Sequence, residues 1–179
     1  MALPDSFKQA QGTAVIWGES GATGISLTVT KTLSLDALAD AAGRMGASAD
    51  LGALWDREYL LWLIVETGTA PTAGNVVELY MACSPDNTNW PGKVTGSDAA
   101  YPTTVANNKK QLGAPACILV ATNDGTTVLV QQPVIWRPSG RYVAPVVVNL
   151  LGQAFRDEAT AANNDSRVVL YPLLSTIED

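Results

Sequence analysis

Histidine is absent from the 179 residues of this chain. Its absence removes the usual general base, the partner that activates serine and cysteine nucleophiles, and the commonest ligand of transition metals. The segment Gly18-Glu19-Ser20-Gly21-Ala22 loosely resembles a nucleophile elbow, but no histidine is present to activate Ser20, and a turn is the simpler interpretation. We therefore expect a protein that is not an enzyme and that uses no cofactor or metal.

Charge is also scarce, because Asp, Glu, Lys and Arg make up only 16% of the chain. The net charge is −6, and Lys109-Lys110 is the only adjacent basic pair. Since a phosphate backbone is bound by clustered Lys and Arg, we expect no nucleic-acid partner. No run approaches the roughly 18 apolar residues of a membrane span, and residues 1–12 lack the basic start and apolar core of a signal peptide. We expect no membrane partner.

Cysteine occurs twice, at Cys83 and Cys117, each inside an apolar run. Two buried thiols that pack as small hydrophobic groups are the favoured interpretation. A disulfide stays open as an alternative if the two strands are neighbours.

The strongest positive pattern lies at residues 58–66, where nearly every residue is apolar. Strand side chains alternate between the two faces of a sheet, so both faces of this strand are apolar and each must be covered. Residues 143–151 show the same pattern, with Asn149 as the polar exception. The second cover can come from another layer of the chain or from another copy of the protein.

Nine strands are predicted from runs of β-branched and aromatic residues between turn signals. They lie at residues 13–17, 24–33, 44–51, 57–67, 75–84, 112–122, 126–136, 142–151 and 166–174. Asn123-Asp124-Gly125 predicts a hairpin that pairs the strands at 112–122 and 126–136.

One short helix is predicted near residues 34–42, capped by Ser34 and ended by Gly43, although a strand there stays an alternative. Together these elements predict an all-β fold, an antiparallel two-sheet β-sandwich of jelly-roll type. We expect a polar N-terminal arm at residues 1–12 and a single sandwich domain at residues 13–179.

The polar segment at residues 85–110 is long for a loop, and such loops tend to be functional. Its Asp86-Asn87-Thr88-Asn89 run predicts an Asx-type turn rather than a calcium loop. The closest carboxylate pairs, Asp56/Glu58 and Asp157/Glu158, would be the acids of a glycosidase, but solvated charge at strand ends is their simpler interpretation.

Aromatic side chains are the remaining candidates for a functional surface. Exposed Trp and Tyr stack on sugars or anchor protein contacts. We name as candidate interface residues Tyr59, Trp62, Trp55, Trp90 and Tyr101.

Three segments together resemble a group of small virion proteins of tailed bacteriophages. They are LSLDALADAAGRMGASADLG at 33–52, PTAGNVVELYMACSPDNTNW at 71–90 and RYVAPVVVNLLGQAF at 141–155. The resemblance implies a jelly-roll-like sandwich that joins the virion as a structural component, assembled in the host cytoplasm. A capsid decoration or cement protein that binds the major capsid protein is the leading expectation.

Such a protein would associate with itself, and a homotrimer is the expected oligomer. A tail-associated structural protein is one alternative. A carbohydrate-binding module that uses the loop at 85–110 is another.

Overall fold

The computed structural model describes residues 6–22, 25, 27–53, 55, 57–103, 106–122, 128–158, 160 and 163–178. Strands dominate the described chain, with one short helix among them. In chain order the elements are β1 (Ser6–Gln11), β2 (Val15–Gly18), β3 (Lys31–Thr32), β4 (Gly43–Met45), β5 (Ala49–Asp50), β6 (Tyr59–Glu66), β7 (Val76–Ser84), β8 (Ala99–Tyr101), α1 (Ala106–Leu112), β9 (Cys117–Val120), β10 (Val128–Val130), β11 (Val134–Trp136), β12 (Tyr142–Leu150) and β13 (Arg167–Glu178).

The strands form two sheets that pack face to face, which confirms the predicted all-β sandwich. The first sheet has seven strands in the order β10-β6-β13-β2-β3, with β1 paired to β13 and β11 paired to β6. The second has six strands in the order β8-β4-β12-β7-β9, with β5 paired to β12. Within the described residues every pairing is antiparallel except that of β2 with β3.

The main core lies between the two sheets and is filled by alternate residues of the central strands. From the first sheet it takes Trp17, Leu61, Leu63, Val65, Val168 and Leu170. From the second it takes Val77, Leu79, Cys117, Leu119, Val143 and Val147. The period of two therefore holds on β6, where Tyr59, Leu61, Leu63 and Val65 share the buried face, as the sequence predicts.

A second core covers the outer face of the second sheet. Ala144, Val146 and Val148 of β12 point away from the main core and pack with Val94 and Tyr101. The cover comes from the segment at residues 90–112, which the sequence predicts as a polar loop but which supplies β8 and α1. The apolar run at 143–151 is thus buried on both faces within one protomer.

The predicted helix at residues 34–42 is wrong, because this segment consists of turns and the described helix is α1. Ala37 and Ala41 have φ values of 49° and 59°, and left-handed residues break an α-helix. Leu33 and Leu35 enter the main core, while the Asn149 side chain donates to the Leu38 carbonyl at 2.9 Å. Tertiary contacts therefore outweigh a weak local helix signal.

The predicted hairpin between residues 112–122 and 126–136 is also wrong. β9 pairs with β7 in the second sheet, whereas β10 pairs with β6 in the first, so the chain crosses from one sheet to the other. Asn123-Asp124-Gly125 lies outside the described residues. The crossing brings Leu119 and Leu129 into the main core from opposite sheets, and this burial outweighs the local turn preference.

Both ends of the described chain take part in the first sheet. Ser6–Gln11, within the predicted polar arm, forms β1 and pairs along β13 from Leu173 to Glu178. Of the strand predicted at 24–33, only Lys31–Thr32 is a strand within the described residues.

Candidate interaction surface

The outer face of the first sheet is apolar, and the protomer leaves part of it uncovered. It carries the residues of β6 and β13 that alternate with the main-core residues, including Trp62, Ile64, Val169 and Tyr171. β10 and β11 add Val130 and Ile135, which are 55% and 61% exposed. Large apolar side chains with such exposure on one face of a sheet are typical of a contact surface.

A groove of about 190 Å³ runs across this face, and we call it the outer-face groove. Its lining is Leu27, Trp62, Ile64, Val130, Val169 and Tyr171. The lining contains no charged residue, although the whole chain carries a net charge of −6. A neutral apolar groove on an acidic protein favours an apolar or polar uncharged partner over a charged one.

One wall of the groove is held in place by a buried arginine. Arg167, the first residue of β13, is 0% exposed and donates from Nη1 to the Leu27 carbonyl at 2.6 Å. Its Nη2 donates to the Asn164 carbonyl at 3.1 Å. The segment containing Leu27 is therefore tied to the sheet through a charge-assisted hydrogen bond, which is stronger than a neutral one.

Trp62 contributes a polar group near the groove. Its indole Nε1 is buried and has no hydrogen-bond partner within the described part of the chain. A buried donor without an acceptor costs about 1–3 kcal/mol.

The five aromatic candidates fall into different environments. Tyr59 and Tyr101 are each 3% exposed, in the main and second cores respectively, so their rings do not reach the protomer surface. Trp90 packs against the second core, and its Nε1 donates to the Asn87 carbonyl at 3.2 Å. Trp62 lines the groove, and Trp55 is 39% exposed.

No curated protein, solved structure or protein-family model matches this chain. In the described ranges no helix is both long and apolar enough to span a membrane.

Two of the four carboxylates considered for catalysis, Glu58 and Glu158, are engaged in ion pairs. Glu58 accepts from Arg137 at 2.5 Å, and Glu158 accepts from Arg156 at 2.5 Å. Asp56 lies outside the described residues. Among those that are described, no group of three or more Cys, Asp or Glu side chains is arranged to hold a metal ion.

Charged groups cluster beside β6, next to the outer face. Glu66 is 4% exposed and accepts from Arg156 at 2.6 Å and from the Asp165 backbone N–H at 3.1 Å. Burial raises the pKa of the Asp165 carboxyl, and the Glu66 carboxylate raises it further. These hydrogen bonds fix Arg156, Asp165 and Ser166 against the end of β6.

The long loop begins as the sequence predicts. The Asp86 carboxylate accepts from the backbone N–H groups of Thr88 and Asn89 at 2.9 and 2.8 Å, which confirms the Asx-type turn. These hydrogen bonds hold the pKa of Asp86 well below its usual value. The loop is used to cover the second sheet, and Trp90 is part of that cover rather than an open sugar platform.

Sequence reasoning missed Leu27, Val130 and Ile135 as members of the surface. The signal available was alternation: Val128 and Val130 flank the core residue Leu129, and Ile135 lies between two residues that pack on the core. Because alternate residues of a strand face opposite sides, the residues between the core positions had to lie on the outer face of the sheet. The sequence shows no segment that would cover them there.

Proposed function

We propose that this protein is a non-enzymatic structural protein of a tailed-bacteriophage virion, a capsid decoration or cement protein that binds the major capsid protein. In this role it associates with copies of itself through the outer face of the first sheet. The protomers assemble in the host cytoplasm and remain on the finished particle.

The observation that carries the proposal is the apolar groove on the outer face of the first sheet, together with the exposed apolar residues on the same face. Residues 90–112 cover the centre of the second sheet and leave Ile118 and Val120 exposed at its β9 edge, whereas the first sheet leaves Val130 and Ile135 exposed on the face that holds the outer-face groove. Exposed apolar surface of this kind is costly unless a partner buries it. A protein that acts as a free monomer would be more stable if a segment of its own chain buried this face.

The sandwich fold supports the virion assignment, since the resemblance at residues 33–52, 71–90 and 141–155 implies such a fold. Two of these segments contribute the central pair of the second sheet, β7 and β12, which share nine register positions. The resemblance therefore falls on the structural centre of the domain.

Copies of one chain usually form closed symmetric rings, and a trimer would match the three-fold and quasi-three-fold positions of a capsid. The expected mass is three times the 18.8 kDa of the chain. Mass photometry at nanomolar and light scattering at micromolar concentration measure this directly.

A matched pair of substitutions tests the surface. Ile135→Asp places a charge on the outer face of the first sheet, whereas Ile118→Asp places the same charge on β9 of the second sheet, where Ile118 is 44% exposed. We expect Ile135→Asp to weaken self-association by about tenfold or more, the scale of one central interface contact. Ile118→Asp should leave association unchanged.

The virion assignment is tested by co-sedimentation with particles assembled from the major capsid protein encoded in the same genome. We expect saturable binding in a fixed ratio to the capsid subunits. A protein that stays monomeric at micromolar concentration and does not co-sediment would contradict the proposal.

A further inference from the structure

One side of the sandwich ends in two edge strands that border the same groove. β9 lies at the end of the second sheet and β10 at the end of the first, and each has one partner among the described strands. A groove of about 250 Å³ lies between them, and we call it the edge groove. Its lining includes Leu119 and Leu129 of the main core, and none of its described lining residues is charged.

Alternate backbone groups of β9 point away from β7, its partner strand. The Ala121 N–H donates to the Asn75 carbonyl at 2.8 Å, so by the alternation of an antiparallel ladder the backbone groups of Leu119 also face β7. Those of Ile118 and Val120 point to the opposite side, where no described strand pairs with them. Unpaired N–H and C=O groups along a sheet edge are a template for an added strand.

The side chains of this edge do not block such an addition. Residues 111–122 contain no charged residue, although charged side chains are a common protection of edge strands. Ile118 and Val120 are 44% and 56% exposed, and they alternate with the core residues of β9, so they lie on the outer face of the second sheet. Hydrogen bonds from the Ala116 and Ala121 N–H groups extend the ladder beyond β9 to six residues. The edge is therefore long enough to pair with an extended segment.

A strand added to β9 would find apolar surface on both of its faces. The side chains on one face would lie beside Ile118 and Val120, and those on the other would enter the edge groove next to Leu119 and Leu129. Because neither surface carries a charge, the segment that fits is one with apolar and uncharged polar side chains.

The proposed self-association leaves this edge to a different partner. Of the described large apolar residues that stay exposed, Val130 and Ile135 lie on the face used for self-association, whereas Ile118 and Val120 lie on β9. A decoration protein needs one surface for its own copies and another for the capsid. Val130 lines both grooves, so the two surfaces adjoin.

We propose that an extended, uncharged segment of the major capsid protein adds to β9 as a further strand and fills the edge groove. This inference rests on the proposed function and names the surface that binds the capsid. Hydrogen bonds to the backbone of Ile118 and Val120 supply the attachment, and the edge groove selects the segment by its side chains.

A proline substitution tests the backbone pairing. Val120→Pro removes an N–H that points away from β7 and leaves the ladder between β7 and β9 intact, and proline is tolerated at such edge positions. We expect this variant to bind particles of the major capsid protein about tenfold more weakly or worse in co-sedimentation. Its self-association should not change, and its urea midpoint shows that it is folded.

The matched control is Ala73→Pro, in the turn that enters β7. The Asn75 N–H donates to the Thr72 carbonyl, and Gly74 has a φ of +87°, as in a type II turn. Proline is favoured at the position that Ala73 occupies in such a turn. Ala73→Pro should therefore fold, and it should change binding to the particles by less than about threefold.

Amide hydrogen exchange is the second arm and locates the contact. The amides of Ile118 and Val120 should exchange about tenfold or more slowly when the protein is bound to the particles, because they then donate to the added strand. The Ala121 amide already donates to Asn75 and should change much less. Mass spectrometry with gas-phase fragmentation resolves these amides.

The outcomes separate this inference from the function on which it rests. If the unmodified protein does not bind the particles, both are overturned. If Val120→Pro binds as well as the unmodified protein, or if the two amides do not slow, strand addition is overturned and the proposed function stands. If Val120→Pro dissociates the oligomer, the edge belongs to a second copy and the inference is overturned. Weaker particle binding with intact self-association and slowed exchange supports it.

Discussion

Arg167 and Leu27 are 140 residues apart in the chain and are joined by a 2.6 Å hydrogen bond from the guanidinium to the backbone carbonyl. Arg167 is fully buried, and burial lowers the pKa of its guanidinium from the ordinary value. The bond places a charged group beneath an apolar surface and uses it to hold one wall of the outer-face groove. Replacing this arginine should therefore change both the free energy of unfolding and the position of Leu27 in the groove wall.

We predict that Arg167→Met lowers the free energy of unfolding by about 2–3 kcal/mol, because the Leu27 and Asn164 carbonyls lose their donor. Binding of a hydrophobic dye should rise, since Leu27 is no longer fixed over the sheet. Urea unfolding and dye fluorescence measure the two effects. The control is Arg137→Met, which removes a pair in which the arginine side chain is 74% exposed and should cost below about 1 kcal/mol. Equal losses of unfolding free energy in Arg167→Met and Arg137→Met would contradict the stabilising role assigned to the buried Arg167.

Asp165 is predicted to make stability fall as the pH rises. Its pKa is raised in the folded protein by burial and by Glu66, with Arg156 and Arg167 opposing, so the folded state holds this proton more tightly than the unfolded state does. The associated stability is present below the ordinary aspartate pKa of about 4 and is lost as the pH rises through the raised value. Asp165→Asn should therefore raise the melting temperature at pH 7, and the gain should vanish toward pH 4.

Asp50 supplies the control of opposite sign for that titration. Two hydrogen bonds from Arg141, at 2.6 Å each, together with one from the Gly52 N–H, lower the pKa of Asp50 to about 2. Asp50→Asn should lower the melting temperature at pH 7, with the loss disappearing as the pH falls from about 4 toward 2. Melting curves between pH 2 and 8 show both trends, and parallel pH profiles for the two variants would overturn this explanation.

Gly92 is predicted to be required by the cover of the second sheet. Its φ is +62°, and an added Cβ would lie 2.6 Å from the Asn108 carbonyl oxygen and 2.8 Å from Leu112 Cδ2. Gly74 also has a positive φ, +87°, but has nothing within 4 Å. Gly74→Ala should cost about 1–2 kcal/mol for backbone strain alone, and Gly92→Ala about 1–3 kcal/mol more for the steric clash. Urea unfolding compares them, and similar costs would mean that α1 moves aside freely.

Cys117 is predicted to be unreactive in the folded protein. Both cysteines are free, as the favoured sequence interpretation predicts, and burial raises the pKa of the Cys117 thiol to about 12. Since the thiolate is the reactive form, alkylation of Cys117 at pH 8 should be about a thousandfold slower than in urea. The half-buried Cys83 should react first. Peptide mass spectrometry after timed alkylation identifies which thiol is modified, and rapid labelling of Cys117 would contradict its burial.

Central strands were predictable from the sequence because their pattern is long and bounded by turn residues. The strand expected at 57–67 is Tyr59–Glu66, that at 75–84 is Val76–Ser84, and that at 142–151 is Tyr142–Leu150. Each buries several β-branched or aromatic residues, so local preference and tertiary burial agree.

The pairing partner of each strand and the segment that covers each sheet were not predictable in the same way. Asp124-Gly125 favours a hairpin locally, yet β9 and β10 belong to different sheets. The segment at 34–42 has helical spacing, yet Ala37 and Ala41 take left-handed conformations. In both places the burial of Leu119, Leu129 and Leu35 in a shared core outweighs a preference that extends over only a few residues.

Only part of the candidate surface could be predicted, because side-chain alternation within a strand is visible in the sequence and contacts between distant segments are not. Apolar residues on both sides of the strand at 58–66 require two covers, and the sequence alone establishes that requirement. It named Trp62 but gave no sign that Leu27, Val130 and Ile135 would join it, because these residues come from three separate segments.

By itself, then, the sequence determined that the protein is made of strands and that its central strands must be covered on both faces, since alternation is a local property of the backbone. Only the tertiary structure decided which segment supplies each cover. Residues 90–112 cover the centre of the second sheet, while the first sheet keeps a groove beside Leu27, which Arg167 holds in place. That choice depends on contacts between residues far apart in the chain, which no local pattern encodes.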